Sequence, residues 1–129
     1  MHIPGLIVAP SAIAGRGVFT SIPIEAGDTI EVCPVIVLPA KDLPAIHGTF
    51  LHDYYFLWED GQCAIALGYG SLYNHSANPN AEYYMDYENT AITVYSLRPI
   101  APGEEITISY TDDGDQRTTL WFEPAPTSS

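Results

Sequence analysis

The sequence predicts a mostly-β domain, and three features carry that reading. Beta-branched and aromatic residues gather in short runs, such as Thr29 to Leu38 and Thr90 to Leu97, and these are the side chains that fit a pleated, half-buried surface. The 11 prolines and 10 glycines punctuate those runs, and each interrupts a helical ladder. In Glu105-Ile106-Thr107-Ile108-Ser109-Tyr110, the apolar residues Ile106, Ile108 and Tyr110 alternate with polar ones. That spacing puts all three on one face of a strand.

Taken in order, Leu6-Ile7-Val8-Ala9 reads as a short strand, and Ala14-Gly15-Arg16-Gly17 as a tight turn into Val18-Phe19-Thr20. Glu25-Ala26-Gly27-Asp28 is a second turn. The long strand from Thr29 to Leu38 contains Pro34, whose missing N–H predicts an edge or a bulge there. Lys41 to His47 suits one or two helical turns. Tyr54 to Trp58 and Cys63 to Leu67 flank the glycine-containing loop Glu59-Asp60-Gly61-Gln62 as a hairpin. Ala81 to Tyr87 and Thr90 to Leu97 pair around Glu88-Asn89, and Pro102-Gly103 turns the chain into its last strand. An acidic stretch follows from Asp112, then Trp121-Phe122 and a Pro/Thr/Ser tail. The expected organisation is one domain over residues 1–122 and a flexible tail over 123–129.

A chain of 129 residues suits one domain with a real core. Its 47% apolar content excludes wholesale disorder. The formal net charge is −12, with four basic residues. Such a surface repels phosphate backbones, which argues against direct nucleic-acid binding, and it attracts basic peptides. Cys33 and Cys63 are too few and too isolated for a disulfide framework or a zinc site and read as buried free thiols. His2, His47 and His52 lack ligand spacing. Asp112-Asp113-Gly114-Asp115 lacks the alternation and terminal glutamate of a calcium loop. No metal is expected. The opening Met1-His2-Ile3-Pro4-Gly5 has no basic segment before an apolar stretch, so no signal peptide is predicted. No apolar run approaches the ~18 residues of a membrane span. No Lys/Arg cluster marks nuclear import. The expectation is an intracellular protein, with the cytoplasm favoured and the nucleus left open, without a membrane partner.

Three motifs stand in order along the chain: Gly15-Arg16-Gly17-Val18-Phe19, then Asn74-His75-Ser76-Ala77-Asn78-Pro79-Asn80, then Gly103-Glu104-Glu105 running through Ile106 and Ile108 to Tyr110. A Gly-x-Gly alone is weak. The Asn-His-Ser…Pro-Asn run, followed ~30 residues later by a Gly-Glu-Glu strand ending in tyrosine, is far more specific. In these motifs the chain resembles SET-domain protein lysine methyltransferases over roughly residues 5 to 122, nearly its full length. The resemblance implies several small curved β-sheets around a knot-like crossing, with short helical turns. It also implies transfer of a methyl group from S-adenosylmethionine to a lysine of a basic protein or peptide.

The same resemblance implies roles for single residues. Arg16 and Gly17 offer backbone groups to the methionine part of the cofactor. Asn74 holds its amino group, and the His75 backbone its adenine. Tyr110 stands at the catalytic tyrosine, Tyr83 at an aromatic position lining the lysine channel, and Trp121 where an aromatic residue closes the cofactor or lysine site. A tyrosine at 83 leaves little room for a methylated amine, which favours mono- or dimethylation. Small relatives form dimers, so a homodimer is compatible.

The chain also departs from the family pattern. Ser71-Leu72-Tyr73 stands where Arg-Phe-Ile is common, Ala77 where a cysteine follows Asn-His-Ser, and Ile108-Ser109 where Phe-Asp precedes the tyrosine. A tyrosine common on the early strand gives way to Val32-Cys33-Pro34, and the zinc-binding cysteine tail is missing. These departures place the chain among minimal, zinc-free members and keep an alternative open: a non-catalytic SET-like module that binds protein partners.

Overall fold

Strands β1 (Leu6–Pro10) and β2 (Arg16–Thr20) form an antiparallel hairpin in which Val8 faces Val18. Ser11 shapes the loop between them. Its hydroxyl accepts the N–H groups of Ile13 and Ala14 at 2.9 and 3.3 Å, a serine turn that competes well with regular structure. The strand therefore begins at Arg16, two residues earlier than the sequence suggested, and Gly17 is already inside it. The computed structural model describes residues 1–109, with His52 and Asp53 by backbone only.

Seven further strands follow: β3 (Thr29–Leu38), β4 (Tyr55–Leu57), β5 (Cys63–Ala66), β6 (Asn74–His75), β7 (Ala81–Asp86), β8 (Ala91–Ser96) and β9 (Glu105–Ile108). They form two sheets, a four-stranded one in the order β1-β2-β9-β6 and a five-stranded one in the order β4-β5-β3-β8-β7. The helical turns expected near Lys41 are a short 3-10 segment, Ala40–Asp42, and the helix α1, Leu43–His47.

Pro34 does not mark an edge, and the bulge in β3 falls between Thr29 and Glu31 instead. The first half of β3 pairs with β8 as far as Pro34↔Ala91, and the second half pairs with β5 from Val35↔Ala66. Pro34 sits where one ladder ends and the other begins. Its missing N–H removes no ladder bond there, and its carbonyl still accepts the Leu67 N–H at 2.9 Å.

The core draws on both sheets. Val18, Ile30, Cys33, Tyr73, Ile106 and Ile108 are all at most 1% exposed. On β9, Ile106 and Ile108 are buried as the alternation predicts, but so is Thr107 between them. The strand is central and covered on both faces, because Asn80 lies over the Thr107 side and bonds to its backbone.

Candidate functional site

Strand β9 is the common neighbour of the first two motifs. Over residues 105–106 it runs antiparallel to β2, with Val18↔Ile106 and Phe19↔Glu105 in register. Over residues 107–108 it runs parallel to β6, with Asn74↔Thr107 and His75↔Ile108. Arg16-Gly17 and Asn74-His75, 58 positions apart, are thereby brought together against one strand. Such a site depends wholly on tertiary pairing.

The side chain of Asn74 joins the two segments. Its Nδ2 donates to the carbonyls of Ala14 and Arg16 at 3.2 and 3.1 Å, and to Glu105 Oε2 at 2.8 Å. The other oxygen of Glu105 accepts the Ser11 hydroxyl at 2.7 Å. Gly17 lies against this pair. A Cβ there would collide with the Glu105 carboxylate and come within 2.8 Å of Asn74 Nδ2, so only glycine permits the approach. Arg16 is exposed, and Asn74 and His75 are half-buried.

Beneath this wall the segment leading into β6 is anchored by a buried carboxylate. Glu31, 1% exposed, accepts the Tyr73 hydroxyl at 2.6 Å and the Tyr69 N–H at 3.0 Å. Gly68, at φ +68°, gives this carboxylate the space a Cβ would take. Burial, reinforced by the adjacent Glu31, pushes the Tyr73 phenol well above its ordinary range. The same two causes in the same order raise the Cys33 thiol. Burial, with Asp42 nearby, also raises Cys63. Both cysteines are buried free thiols, as expected.

The remaining anticipated site residues fall elsewhere. Tyr83, on β7 of the other sheet, is 5% exposed, with its ring edge-on to Phe56 at 5.4 Å. Tyr110, Trp121 and the 123–129 tail lie outside the described residues. His47 is engaged rather than idle, with its Nδ1 3.3 Å from the Tyr55 hydroxyl. Among the described residues, no group of three His, Cys, Asp or Glu side chains is placed to hold a metal ion, and no helix is long and apolar enough to cross a membrane.

Four residues of this neighbourhood carried no assignment from sequence: Ser11, Glu31, Asn80 and Glu105. Asn80 and Glu105 stand inside the quoted motifs. Yet an Asn after proline reads as a turn residue, and a carboxylate next to an apolar strand reads as solvent-facing. A usable signal existed for Glu31, the one charged residue in the run Thr29–Leu38, since a lone charge in a buried strand needs partners.

Comparison with known proteins agrees with this architecture. The SET-domain family model matches residues 15–111. The chain is 39% identical over 117 residues to a Schizosaccharomyces pombe histone-lysine N-methyltransferase specific for H3 lysine-37, covering 89% of this chain and 75% of that protein. It is 36% identical over 109 residues to the human protein-lysine N-trimethyltransferase SMYD5, covering 76% of this chain but 24% of SMYD5. Among solved structures, a Plasmodium falciparum protein described as a histone methyltransferase superposes with a TM-score of 0.71 at 32% identity, over 82% of this chain and 92% of that one. A humanized mutant of the Chaetomium thermophilum Polycomb Repressive Complex 2 gives 0.69 at 18% identity, over 84% of this chain and 15% of that one, a likeness of fold alone.

Proposed function

The chain belongs to the SET-domain family, and we infer from that premise that it is a protein-lysine methyltransferase using S-adenosylmethionine. The observation that carries the reading is the convergence of Arg16-Gly17 and Asn74-His75 on β9. Those are the segments to which the resemblance assigns cofactor binding.

The residues suit this cofactor. Gly17 leaves the main chain of β2 without a side chain, and Asn74 with Glu105 makes a polar, acceptor-rich wall. Such a wall favours a ligand bearing ammonium and sulfonium charge. When bound, S-adenosylmethionine supplies a methyl group on a positively charged sulfur. In this reading the backbone of Arg16, Gly17 and His75 and the Asn74 side chain hold the cofactor, with Trp121 closing over it. Tyr83 lines the lysine channel, and the Tyr110 hydroxyl aligns the reacting groups, the kind of positioning that contributes several kcal/mol.

The acceptor lysine must be neutral to react. From a reference pKa of ~10.4 that costs about 4–5 kcal/mol at pH 7. Burial in an aromatic channel and a neighbouring positive charge both lower this cost. The net charge of −12 draws basic segments toward the protein from outside. Its S. pombe relative is specific for a histone lysine, which supports a histone-like basic segment as substrate and an intracellular setting for the reaction.

Calorimetric titration with S-adenosylmethionine tests the reading. Wild-type protein binds in the micromolar range, Asn74→Ala weakens that binding, and Tyr110→Phe keeps it while losing turnover on a basic peptide. A well-folded wild type that binds no S-adenosylmethionine overturns the reading.

A further inference from the structure

We propose that Glu105 is the positioning residue that fixes the Asn74 amide, so that its oxygen is the atom presented to the α-ammonium group of the cofactor. The proposal rests on the methyltransferase reading above and adds to it a residue and a basis for recognition.

The argument begins with the amide itself. An asparagine side chain offers a donor end and an acceptor end of nearly equal shape. A site that must bind an ammonium, which only donates, has to present the oxygen. Around Asn74 Nδ2 the structure gathers three acceptors: the Ala14 carbonyl, the Arg16 carbonyl and Glu105 Oε2. Turning the amide over would set Oδ1 against three oxygens, so a single orientation survives.

Glu105 is the strongest of the three. Its bond to Asn74 is the shortest, at 2.8 Å against 3.1 and 3.2 Å, and bonds to carboxylates are roughly twice as strong as neutral ones. The carboxylate is itself held. Ser11 donates to Oε1 at 2.7 Å while its hydroxyl also accepts the Ile13 and Ala14 N–H groups. The bare backbone of Gly17 abuts the opposite side. The loop, the carboxylate and the amide therefore form one chain of contacts, and Glu105 is its middle link.

If Glu105 acts by aiming Asn74, its loss must be felt only by ligands that carry the α-ammonium. The test is calorimetry of wild type, Glu105→Ala and Glu105→Gln with three probes: S-adenosylmethionine, S-adenosylhomocysteine, and 5′-methylthioadenosine, which lacks the amino-acid portion. Glu105→Ala should weaken the first two by about tenfold, ~1.4 kcal/mol, and leave 5′-methylthioadenosine within about twofold. Glu105→Gln, whose oxygen still accepts from Asn74, should recover most of the loss. Ser11→Ala, which frees the carboxylate without touching Asn74, should show the same selectivity at smaller size, and it serves where Glu105→Ala fails to fold.

Equal weakening of all three probes would make Glu105 a mere scaffold of the loop and overturn the proposal. So would unchanged affinity for all three. Wild type that binds S-adenosylmethionine no more tightly than 5′-methylthioadenosine overturns the proposal alone, because the α-ammonium then contributes nothing to affinity. Wild type that binds none of the probes overturns it together with the methyltransferase reading.

Discussion

Asn80 Oδ1 accepts the backbone N–H of Thr107 at 2.9 Å, while Asn80 Nδ2 donates to the carbonyl of Glu105 at 2.8 Å. One side-chain amide thus stands in for a peptide group of a further strand on β9. Asn80 is 2% exposed, so both backbone groups would be left unpaired without it.

Asn80→Ala is therefore expected to destabilise the fold by roughly 2–4 kcal/mol, since each buried unsatisfied group costs about 1–3 kcal/mol. Asn80→Asp should be nearly as damaging, because it loses the donor to Glu105 and brings a second carboxylate near Glu104. Urea denaturation without ligand reads both. A loss under about 0.5 kcal/mol would mean that water replaces the amide.

Gly17→Ala should separate binding from folding. The new methyl group displaces the Glu105 carboxylate and Asn74, both of which are side chains that can move aside. Affinity for S-adenosylmethionine is expected to fall at least about tenfold, with the urea midpoint nearly unchanged. Wild-type affinity in this variant would show that the crowding is absorbed harmlessly.

Tyr73→Phe takes one donor from the buried Glu31 carboxylate and leaves the ring in place. The expected loss is about 1.5–3 kcal/mol, the range for hydrogen bonds to charged groups. Combining it with Glu31→Gln should cost less than the sum of the two single changes, because residues in one network do not add. Strict additivity in the denaturation data would disprove the coupling.

Raised values at Cys33 and Tyr73 set a sign for the alkaline limb of stability. Below the ordinary thiol and phenol values of 9.0 and 10.0, folded and unfolded chains hold these protons alike and stability is intact. As pH climbs past those values, the unfolded chain releases protons that the folded chain keeps, so stability falls. The urea midpoint should therefore drop progressively from about pH 9 upward. In folded protein, Cys33 should resist thiol reagents and one of the nine tyrosines should ionise only on unfolding. Full tyrosine titration near pH 10 without unfolding would contradict this.

Much of the fold was legible because it is written in local signals. The β7–β8 hairpin around Glu88-Asn89, the turn at Pro102-Gly103 and the strand Thr29–Leu38 all follow from period-2 patterning and turn residues. Pairing partners were not legible in that way. Nothing in the residues Asn74-His75 says that they run parallel to β9, or that Pro34 marks the handover between β8 and β5. The motifs brought these segments to attention through a family resemblance, but the polar residues that hold them were hidden in plain positions. Glu105 and Asn80 look solvent-facing by type, and only the tertiary arrangement turns them into internal struts.

The pairing of β9 with both β2 and β6 also dictates an order of events during synthesis. The β7–β8 ladder closes across a turn of a few residues, whereas Val18↔Ile106 and Asn74↔Thr107 close long loops, which is entropically slower. A nascent chain can thus have its larger sheet taking shape while β2 and β6 still lack their shared neighbour. The wall of Asn74 and Glu105 then arises in a single late step, when residues 105–108 pair with both. Pulsed amide exchange during refolding would register this as protection at Ile92 and Val94 preceding protection at Ile106 and Thr107.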